Sequence, residues 1–187
     1  MSQYVTLVRH AKSSWNNQGQ SDFDRPLNER GHQDAPVMAA RMVSRNCIPD
    51  LLLISSARRA QETSAYMKQA FQLAPEQIQL IDDLYLAEPE ILLAVMASVP
   101  ESVNHLMIIA HNPGLESLSE LLAGRSLPPL PTLGIRHFAC PSIRSLAPAP
   151  PADTHFKRSA RRSDTHKTVD TRGISLLFDD YPKKEAD

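Results

Sequence analysis

Two histidines and several arginines follow short apolar runs that are typical of buried strands. The run YVTLV leads into Arg9 and His10. The run DLLLISS is followed by Arg58 and Arg59, and LMIIA by His111. Ligands bind outside the carboxyl ends of strands in an open parallel sheet, so we expect these side chains to converge. Guanidinium groups match phosphate oxygens and a neutral imidazole can attack phosphorus, so this set favours phosphoryl chemistry.

Each of these residues has an ordinary structural explanation when taken alone. A histidine after a strand usually caps or packs, and a single arginine there usually pairs with a carboxylate. The coincidence at three strand ends favours a binding site instead. Pro113 opens the helix after His111, and a helix amino terminus adds to an anion site. One histidine would then act as the nucleophile, and the other would stabilise the phosphoryl oxygens.

The elements that must hold these residues alternate between strand and helix. Strands are predicted at residues 4 to 9 and in PDLLLISS, IQLIDDL, VNHLMIIA and LPTLGIRHFAC. Helices are predicted in ARRAQETSAYMKQAFQL, EPEILLAVMASV and PGLESLSELLAG. This alternation predicts an α/β fold, in which a mostly parallel central sheet carries helices on both faces.

The first predicted helix runs from Glu29 to about residue 45, with Asn28 as its cap. Its apolar residues are expected to share one face of the helix. They are Val37, Met38, Met42 and Val43.

Length, charge and cysteine content limit the classes of protein to which the chain can belong. The chain has 187 residues, 42% of them hydrophobic, which suits one domain spanning residues 1–187. Its net charge of −1 indicates neither a nucleic acid nor a membrane as partner. The absence of long apolar runs and of a leader pattern predicts a cytoplasmic protein. Cys47 and Cys140 are expected to be free thiols, and neither a metal nor a cofactor is expected.

Residues 141–172 differ from the rest of the chain. They hold seven Lys and Arg against three Asp and have little apolar content. They are predicted to form a flexible basic insertion or tail, either a solvated loop or an arm that attracts an acidic protein partner. The apolar run ISLLFDDYP, at residues 174 to 182, is expected to return to the sheet as an edge strand.

Four blocks in order, LVRHAKSSWN, DFDRPLNERG, SSARRAQET and AHNPGLE, resemble the histidine phosphatase superfamily. The likeness extends from residue 4 to about residue 138, and it is greatest to the SixA-type phosphohistidine phosphatases. The resemblance implies a phosphoglycerate-mutase-like fold, a three-layer αβα sandwich. It also implies a phosphatase that works through a phosphohistidine intermediate without a cofactor. The substrate would be a phosphorylated protein, such as a phosphohistidine domain, or a small phosphorylated molecule.

The resemblance also implies individual roles. His10 resembles the nucleophile, and Arg9 the first phosphate-binding arginine. Arg25 resembles an additional arginine that binds the substrate phosphate. The family spacing selects Arg59, and Arg58 is then a solvated helix residue.

Three further positions follow from the same blocks. His111 resembles the second core histidine, which hydrogen-bonds the transferring phosphoryl group. Asn16 lies where some relatives contact phosphate through an asparagine, although an ordinary role in a loop turn is about as well supported. Ala11 replaces the glycine of the usual Arg-His-Gly motif and keeps the position small.

The general acid of many relatives has no clear counterpart. Leu86 stands where that acid is expected, and Glu88, two residues on, is a candidate acid or a capping residue. General acid catalysis is worth about 10² to 10⁴ in rate, so its loss favours a substrate with a good leaving group, such as phosphohistidine. The alternatives are a phosphoester or pyrophosphate phosphatase that uses Glu88 or Asp83, and a non-catalytic phosphate-binding module. Mutase activity is less well supported, because no substrate-enclosing insertion follows the third strand.

Overall fold

A computed structural model describes residues 2–16, 19–146, 171 and 173–183 of the chain. Strands and helices alternate through most of this part. The strands are β1 (Gln3–Arg9), β2 (Leu51–Ser55), β3 (Ile78–Ile81), β4 (His105–Ala110), β5 (Ile135–Cys140) and β6 (Ser175–Asp180). The helices are α1 (Glu29–Ser44), α2 (Arg58–Phe71), α3 (Pro89–Ala97) and α4 (Gly114–Ala123). Short 3₁₀ turns occur at Pro75–Gln77, Asp82–Leu84 and Arg144–Leu146.

The strands form one sheet in the order β3-β2-β4-β1-β5-β6. The first four strands in this order are parallel to one another, whereas β5 runs antiparallel to β1, and β6 antiparallel to β5. All residues of β2 and β4 are buried, as expected for central strands of a parallel sheet covered on both faces. The predicted return of the chain as an edge strand is confirmed by β6.

Two helical layers cover the sheet. Side chains alternate along β1 and β4, so that Val8 and Met107 pack with residues of α1 and α2. Leu7 and Ile108 pack on the other face with residues of α3 and α4. The architecture is the predicted three-layer αβα sandwich, phosphoglycerate-mutase-like, with the hydrophobic core divided between the two faces of the sheet.

The first helix begins where the sequence predicts, because the Asn28 side chain accepts the N–H of Gly31 at 2.9 Å. The predicted apolar face is partly wrong. Val37 and Val43 are 51% and 39% exposed, and the buried face consists of Gly31, Ala35, Met38, Ala39 and Met42. The helix approaches the rest of the protein through small residues, so the large β-branched side chains point outward.

The basic segment predicted at 141–172 lies mostly outside the described residues, namely at 147–170 and 172. Its flexibility, and the single-domain organisation of the chain, stay predictions. At its start, Ile143 and Leu146 are buried against the core. Cys47 and Cys140 are buried free thiols, as predicted. In the described part of the chain, no helix combines the length and the apolarity that crossing a membrane requires.

Candidate active site

A cleft of about 300 Å³ opens where β1 and β4 end side by side. Five of the residues predicted from the sequence line it, namely Arg9, His10, Arg25, Arg59 and His111. All of them except Arg9 are buried. The parallel pairing of the two strands brings the residues together, since the carboxyl ends of neighbouring parallel strands meet at one edge of the sheet.

Hydrogen bonds fix the protonation of His10. Its Nδ1–H donates to the carbonyl oxygen of Ala11 at 2.7 Å. Arg59 Nε lies 3.1 Å from His10 Nε2, and a guanidinium N–H can only donate, so Nε2 carries a lone pair. Burial lowers the pKa of His10 to about 3; the Ala11 carbonyl opposes this shift, while His111, Arg59 and Arg9 add to it. His10 is therefore neutral near pH 7, and its Nε2 is unprotonated.

Two adjacent arginines at the start of α2 lie in different environments. Arg59 is 3% exposed and faces the cleft, whereas Arg58 donates to Glu62 at 2.7 Å on the surface. One turn further along, the Thr63 hydroxyl donates to the Arg59 carbonyl at 2.7 Å and accepts the N–H of Ala11 at 2.9 Å. Thr63 therefore ties α2 to the loop that follows β1, next to His10.

His111 lies with its ring centroid 5.0 Å from that of His10. Its Nε2 is 2.8 Å from the hydroxyl of Ser55, which itself accepts the N–H of Ala57 at 3.4 Å. Burial lowers the pKa of His111 to about 3, and the charge of Arg59 adds to this effect. A neutral His111 that accepts from Ser55 at Nε2 carries its proton on Nδ1. Among the described residues, Nδ1 has no hydrogen-bond partner, so this N–H is available to a ligand oxygen.

Asp22 is a site residue that the sequence did not indicate. Its carboxylate accepts hydrogen bonds from Arg25 at 2.7 Å, from Arg59 at 2.9 Å and from the Tyr85 hydroxyl at 2.8 Å. Burial raises the pKa of Asp22, but the donors outweigh this effect and leave the pKa below its ordinary value. The carboxylate is therefore ionised and holds both arginines in the cleft. The signal for Asp22 in the sequence is its position in the DFDRPL block, which also contains Arg25.

Arg25 also binds the loop that follows β1. Its Nε donates to the Ser14 carbonyl at 2.8 Å and its Nη2 to the Ser13 hydroxyl. The Trp15 ring covers the guanidinium, with Arg25 Cζ 3.2 Å from the ring centroid, a cation–π contact. Trp15 is 74% exposed and lines the cleft, so it forms an apolar rim beside the arginines.

Arg9 is held at one end only. Its Nη1 donates to the Leu130 carbonyl at 2.8 Å, and Asn112 donates to the same oxygen at 3.0 Å. Burial lowers the pKa of Arg9, and the carboxylate of Glu116 partly opposes this effect. Its Nε has no partner in the part of the chain that the structure describes. Arg9 Nε is thus a buried donor available to an anion, and so is His111 Nδ1 in the tautomer that accepts from Ser55.

Asn16 and Glu88, predicted from the sequence, do not line the cleft. Asn16 is exposed, and its backbone N–H donates to the Ser14 hydroxyl at 3.1 Å. Glu88 is exposed at the N-cap of α3, where its side chain makes no capping hydrogen bond. Asp83 is exposed as well. Among the described residues, Asp22 is therefore the only carboxylate that lines the cleft.

Leu86 lines the cleft at the position where an acid was expected. Its φ of 49° lies in the left-handed region, which costs a leucine roughly 1 to 2 kcal/mol. The neighbouring Ala87 carbonyl packs against Gly114, where an added Cβ would lie 1.8 Å from the oxygen. Only glycine fits there, and this contact holds the Leu86 loop beside the start of α4.

A larger cavity, about 640 Å³, lies elsewhere, beside Gln3, Val103 and Ile143. Its described lining includes no histidine, and its arginine, Arg144, is paired with Glu101 at 2.9 Å. The smaller cleft is therefore the candidate active site.

The fold and the cleft together define a class of protein. A buried neutral histidine among three arginines, at the carboxyl end of a parallel sheet, is suited to covalent phosphoryl transfer. The chain belongs to the histidine phosphatase superfamily (branch 1), whose sequence profile matches residues 5–125.

Similar proteins agree with this membership. An uncharacterized chloroplastic protein of Arabidopsis thaliana is 31% identical over 136 residues, 68% of this chain; the chain spans 62% of that relative's length. A solved structure from Agrobacterium tumefaciens, provisionally named as phosphohistidine phosphatase SixA, is 34% identical with a TM-score of 0.70. The match covers 75% of this chain and 93% of that one. The structure of the protein histidine phosphatase SixA complexed with tungstate is 23% identical, with a TM-score of 0.66, and shares the fold. This match covers 73% of this chain and 88% of that one.

Proposed function

We propose that the protein is a phosphohistidine phosphatase that removes the phosphoryl group from a histidine of a partner protein. The observation that carries the proposal is the hydrogen bonding of His10. The Ala11 carbonyl accepts a hydrogen bond from Nδ1–H and Arg59 donates to Nε2, so Nε2 is unprotonated and lies in a cationic cleft. The SixA-named structures, one of them with the oxyanion tungstate, support this assignment by similarity.

The reaction would proceed in two displacements. His10 Nε2 forms a bond to phosphorus as the P–N bond of the substrate breaks, and the departing imidazole takes a proton from solvent. Water then attacks the phosphohistidine, releasing phosphate and restoring His10. Arg59, Arg9 Nε and His111 Nδ1 would donate to the phosphoryl oxygens, and each such donor is typically worth about 10² to 10³ in rate.

The choice of substrate follows from the state of Asp22. A general acid must hold a proton to give away, whereas three donors keep this carboxylate ionised. Glu88 and Asp83 lie outside the cleft, and Leu86 occupies the expected place of the acid. A phosphorylated imidazole is a good leaving group that needs no such acid. An alkyl phosphate ester would lose the roughly 10² to 10⁴ that an acid supplies.

The shape of the cleft is consistent with a substrate carried on a protein. Its volume of about 300 Å³ is at the small end for ligand sites and suits a phosphoryl group with one ring. Trp15 stands exposed at the rim, where it could pack on the imidazole or its carrier. Removal of histidine phosphorylation would place the protein in signal transduction.

The test compares leaving groups. Wild type is assayed on a phosphohistidine peptide, on para-nitrophenyl phosphate and on an alkyl phosphate monoester. We expect kcat/KM on the alkyl ester to be at least about 10²-fold below that on the peptide. Leu86→Glu should narrow this ratio by restoring an acid, whereas its matched neutral control Leu86→Gln and the distant Glu88→Gln should leave it unchanged. Fast hydrolysis of the alkyl ester by wild type would instead indicate a small-molecule phosphoesterase.

A further inference from the structure

A second pair of histidines lies away from the cleft, on the sheet face covered by α1 and α2. His105 begins β4, His137 lies in β5, and Thr6 lies on β1 between those two strands. Cys47 reaches them from the loop after α1. These four residues, here called the Cys47 cluster, are all buried, with exposures between 0 and 8%. Thr6 is four residues before His10, about 13 Å along the strand.

The potential ligand atoms of the Cys47 cluster converge. His105 Nε2, His137 Nδ1 and Cys47 Sγ lie within 4.8 Å of one another. The sulfur is 3.5 Å from His137 Nδ1 and 4.0 Å from His105 Nε2. The Thr6 hydroxyl is 2.7 Å from His105 Nε2, 2.8 Å from His137 Nδ1 and 3.6 Å from the sulfur. One thiol, two imidazoles and one hydroxyl thus surround a common point.

These separations are close to those of a tetrahedral zinc site. With Zn–S near 2.3 Å and Zn–N near 2.05 Å, sulfur and nitrogen ligands lie about 3.6 Å apart. The two S···N distances bracket this value. Oxygen and nitrogen ligands lie about 3.4 Å apart in such a site, so the Thr6 hydroxyl would withdraw by about 0.6 Å to become the fourth ligand.

Surrounding groups orient both imidazoles. His105 Nδ1–H donates to the Ile48 carbonyl at 3.0 Å, which leaves Nε2 with its lone pair facing the cluster. Histidines that bind metals usually make such an outer hydrogen bond. The His137 ring is stacked between Tyr4, at 5.4 Å, and Phe178, at 5.0 Å. The register of β5 with β6 shifts next to His137, a type of irregularity that re-aims side chains.

The chemistry of the donors also suits a metal. Neutral imidazole and deprotonated thiol are ligands that Zn²⁺ takes in structural sites. Cys47 is 58 and 90 residues from the two histidines, which explains why sequence spacing gave no metal signal.

We propose that the Cys47 cluster binds one Zn²⁺ ion through Cys47 Sγ, His105 Nε2, His137 Nδ1 and the Thr6 hydroxyl. Binding releases the thiol proton to solvent and leaves His137 protonated at Nε2, so the site gains a net charge of +1. The carboxylate of Asp50, which accepts the backbone N–H of His105 at 2.9 Å, lies close enough to offset part of that charge. The buried position indicates a structural role that clamps β1, β4 and β5 to the loop after α1. This inference is independent of the proposed phosphatase activity.

The test uses the full, untagged chain stripped with a chelator and titrated with Co²⁺ as a spectroscopic probe. We expect one equivalent of Co²⁺ to produce a thiolate-to-cobalt charge-transfer band, which equimolar Zn²⁺ abolishes because zinc binds such sites more tightly. Zinc at a hundred times its Kd should raise the Tm by roughly 5 to 10 °C. The cleft of the candidate active site contains no described cysteine, so metal bound there cannot give this band.

Cys47→Ser should abolish the band and the rise in Tm while the folded protein keeps its phosphatase activity. Cys140→Ser removes the other buried thiol and is the matched control, which should retain both signals. His137→Gln provides a second loss variant should the serine variant fold poorly. Wild type without a stoichiometric cobalt–thiolate band, or a band that survives in Cys47→Ser, would overturn the proposal.

Discussion

The candidate active site and the Cys47 cluster each contain two buried histidines at similar separations. The ring centroids of His10 and His111 are 5.0 Å apart, and those of His105 and His137 are 5.1 Å apart. In both pairs burial lowers the pKa values. Neutral, closely spaced imidazoles therefore do not by themselves indicate what a site binds.

The neighbours of the two pairs differ. Arg9, Arg25 and Arg59 line the cleft, so a ligand there must be an anion. The Cys47 cluster offers a thiol and a hydroxyl in place of cations, which are donors for a metal ion. The residues around each pair of imidazoles would therefore decide whether the pair serves phosphoryl transfer or metal binding.

The largest difference between the two regions is expected when one histidine of each is replaced by asparagine. His10→Asn removes the proposed nucleophile, and we expect kcat on a phosphohistidine peptide to fall by at least about 10⁴-fold. His137→Asn should leave kcat per folded molecule within about twofold of wild type. Rapid-quench experiments should detect a phosphorylated form of the wild-type protein and none in His10→Asn. This result would check the assignment of His10 as the phosphorylated residue. Equal losses in both variants would contradict the separation of the two regions.

The next prediction concerns the adjacent arginines at the start of α2. Arg59→Lys removes the planar guanidinium that reaches both His10 Nε2 and Asp22, and we expect kcat/KM to fall by about 10² to 10³-fold. Arg58→Lys is the matched control, since Arg58 pairs on the surface with Glu62. Steady-state kinetics on the same peptide measures both variants. A similar loss of kcat/KM in Arg58→Lys would refute the assignment of Arg59 to the active site.

A smaller effect is expected at Asp22, which positions the arginines without taking part in the chemistry. Asp22→Asn weakens charge-assisted hydrogen bonds worth about 1.5 to 3 kcal/mol, so kcat/KM should fall by about 10 to 100-fold. Tyr85→Phe removes one donor to this carboxylate and should cost less than tenfold. If Asp22 were instead a general acid, Asp22→Asn would spare substrates with good leaving groups, and a leaving-group series would show it.

The smallest expected effect is on stability at acidic pH. The pKa of His10 is about 3 in the folded protein and near 6.5 in the unfolded chain, so between these values the unfolded state binds more protons. The free energy of unfolding is therefore lost as pH falls below about 6.5, by up to about 1.4 kcal/mol per pH unit for this group. Urea midpoints at pH 7 and pH 5 should differ less in His10→Asn than in wild type. The exposed His32→Asn is the control, and an unchanged difference in His10→Asn would contradict the low pKa.

Much of the fold follows from the sequence because the central strands are continuous apolar runs and because α1 begins at a recognisable cap, Asn28. The face of α1 was partly misjudged, since its packing is made by small residues such as Gly31 and Ala35 that carry little hydrophobic signal. His10 and His111 were found because each directly follows a strand, and Arg59 because the spacing of the family block selects it. Asp22 was missed because its donors, Arg25, Arg59 and Tyr85, come together only in three dimensions.

The backbone at Leu86 bears on how this protein could change by substitution. A residue with a φ of 49° is tolerated better by asparagine or aspartate than by most other side chains. Replacing this leucine by aspartate would therefore relieve local strain and introduce an acidic group at the cleft in a single step. The contact of the Ala87 carbonyl with Gly114 does not involve the side chain of residue 86, so it would still hold the loop after the substitution. Under the proposed function, one substitution that the main chain already favours would then extend the activity from labile to stable phosphate bonds.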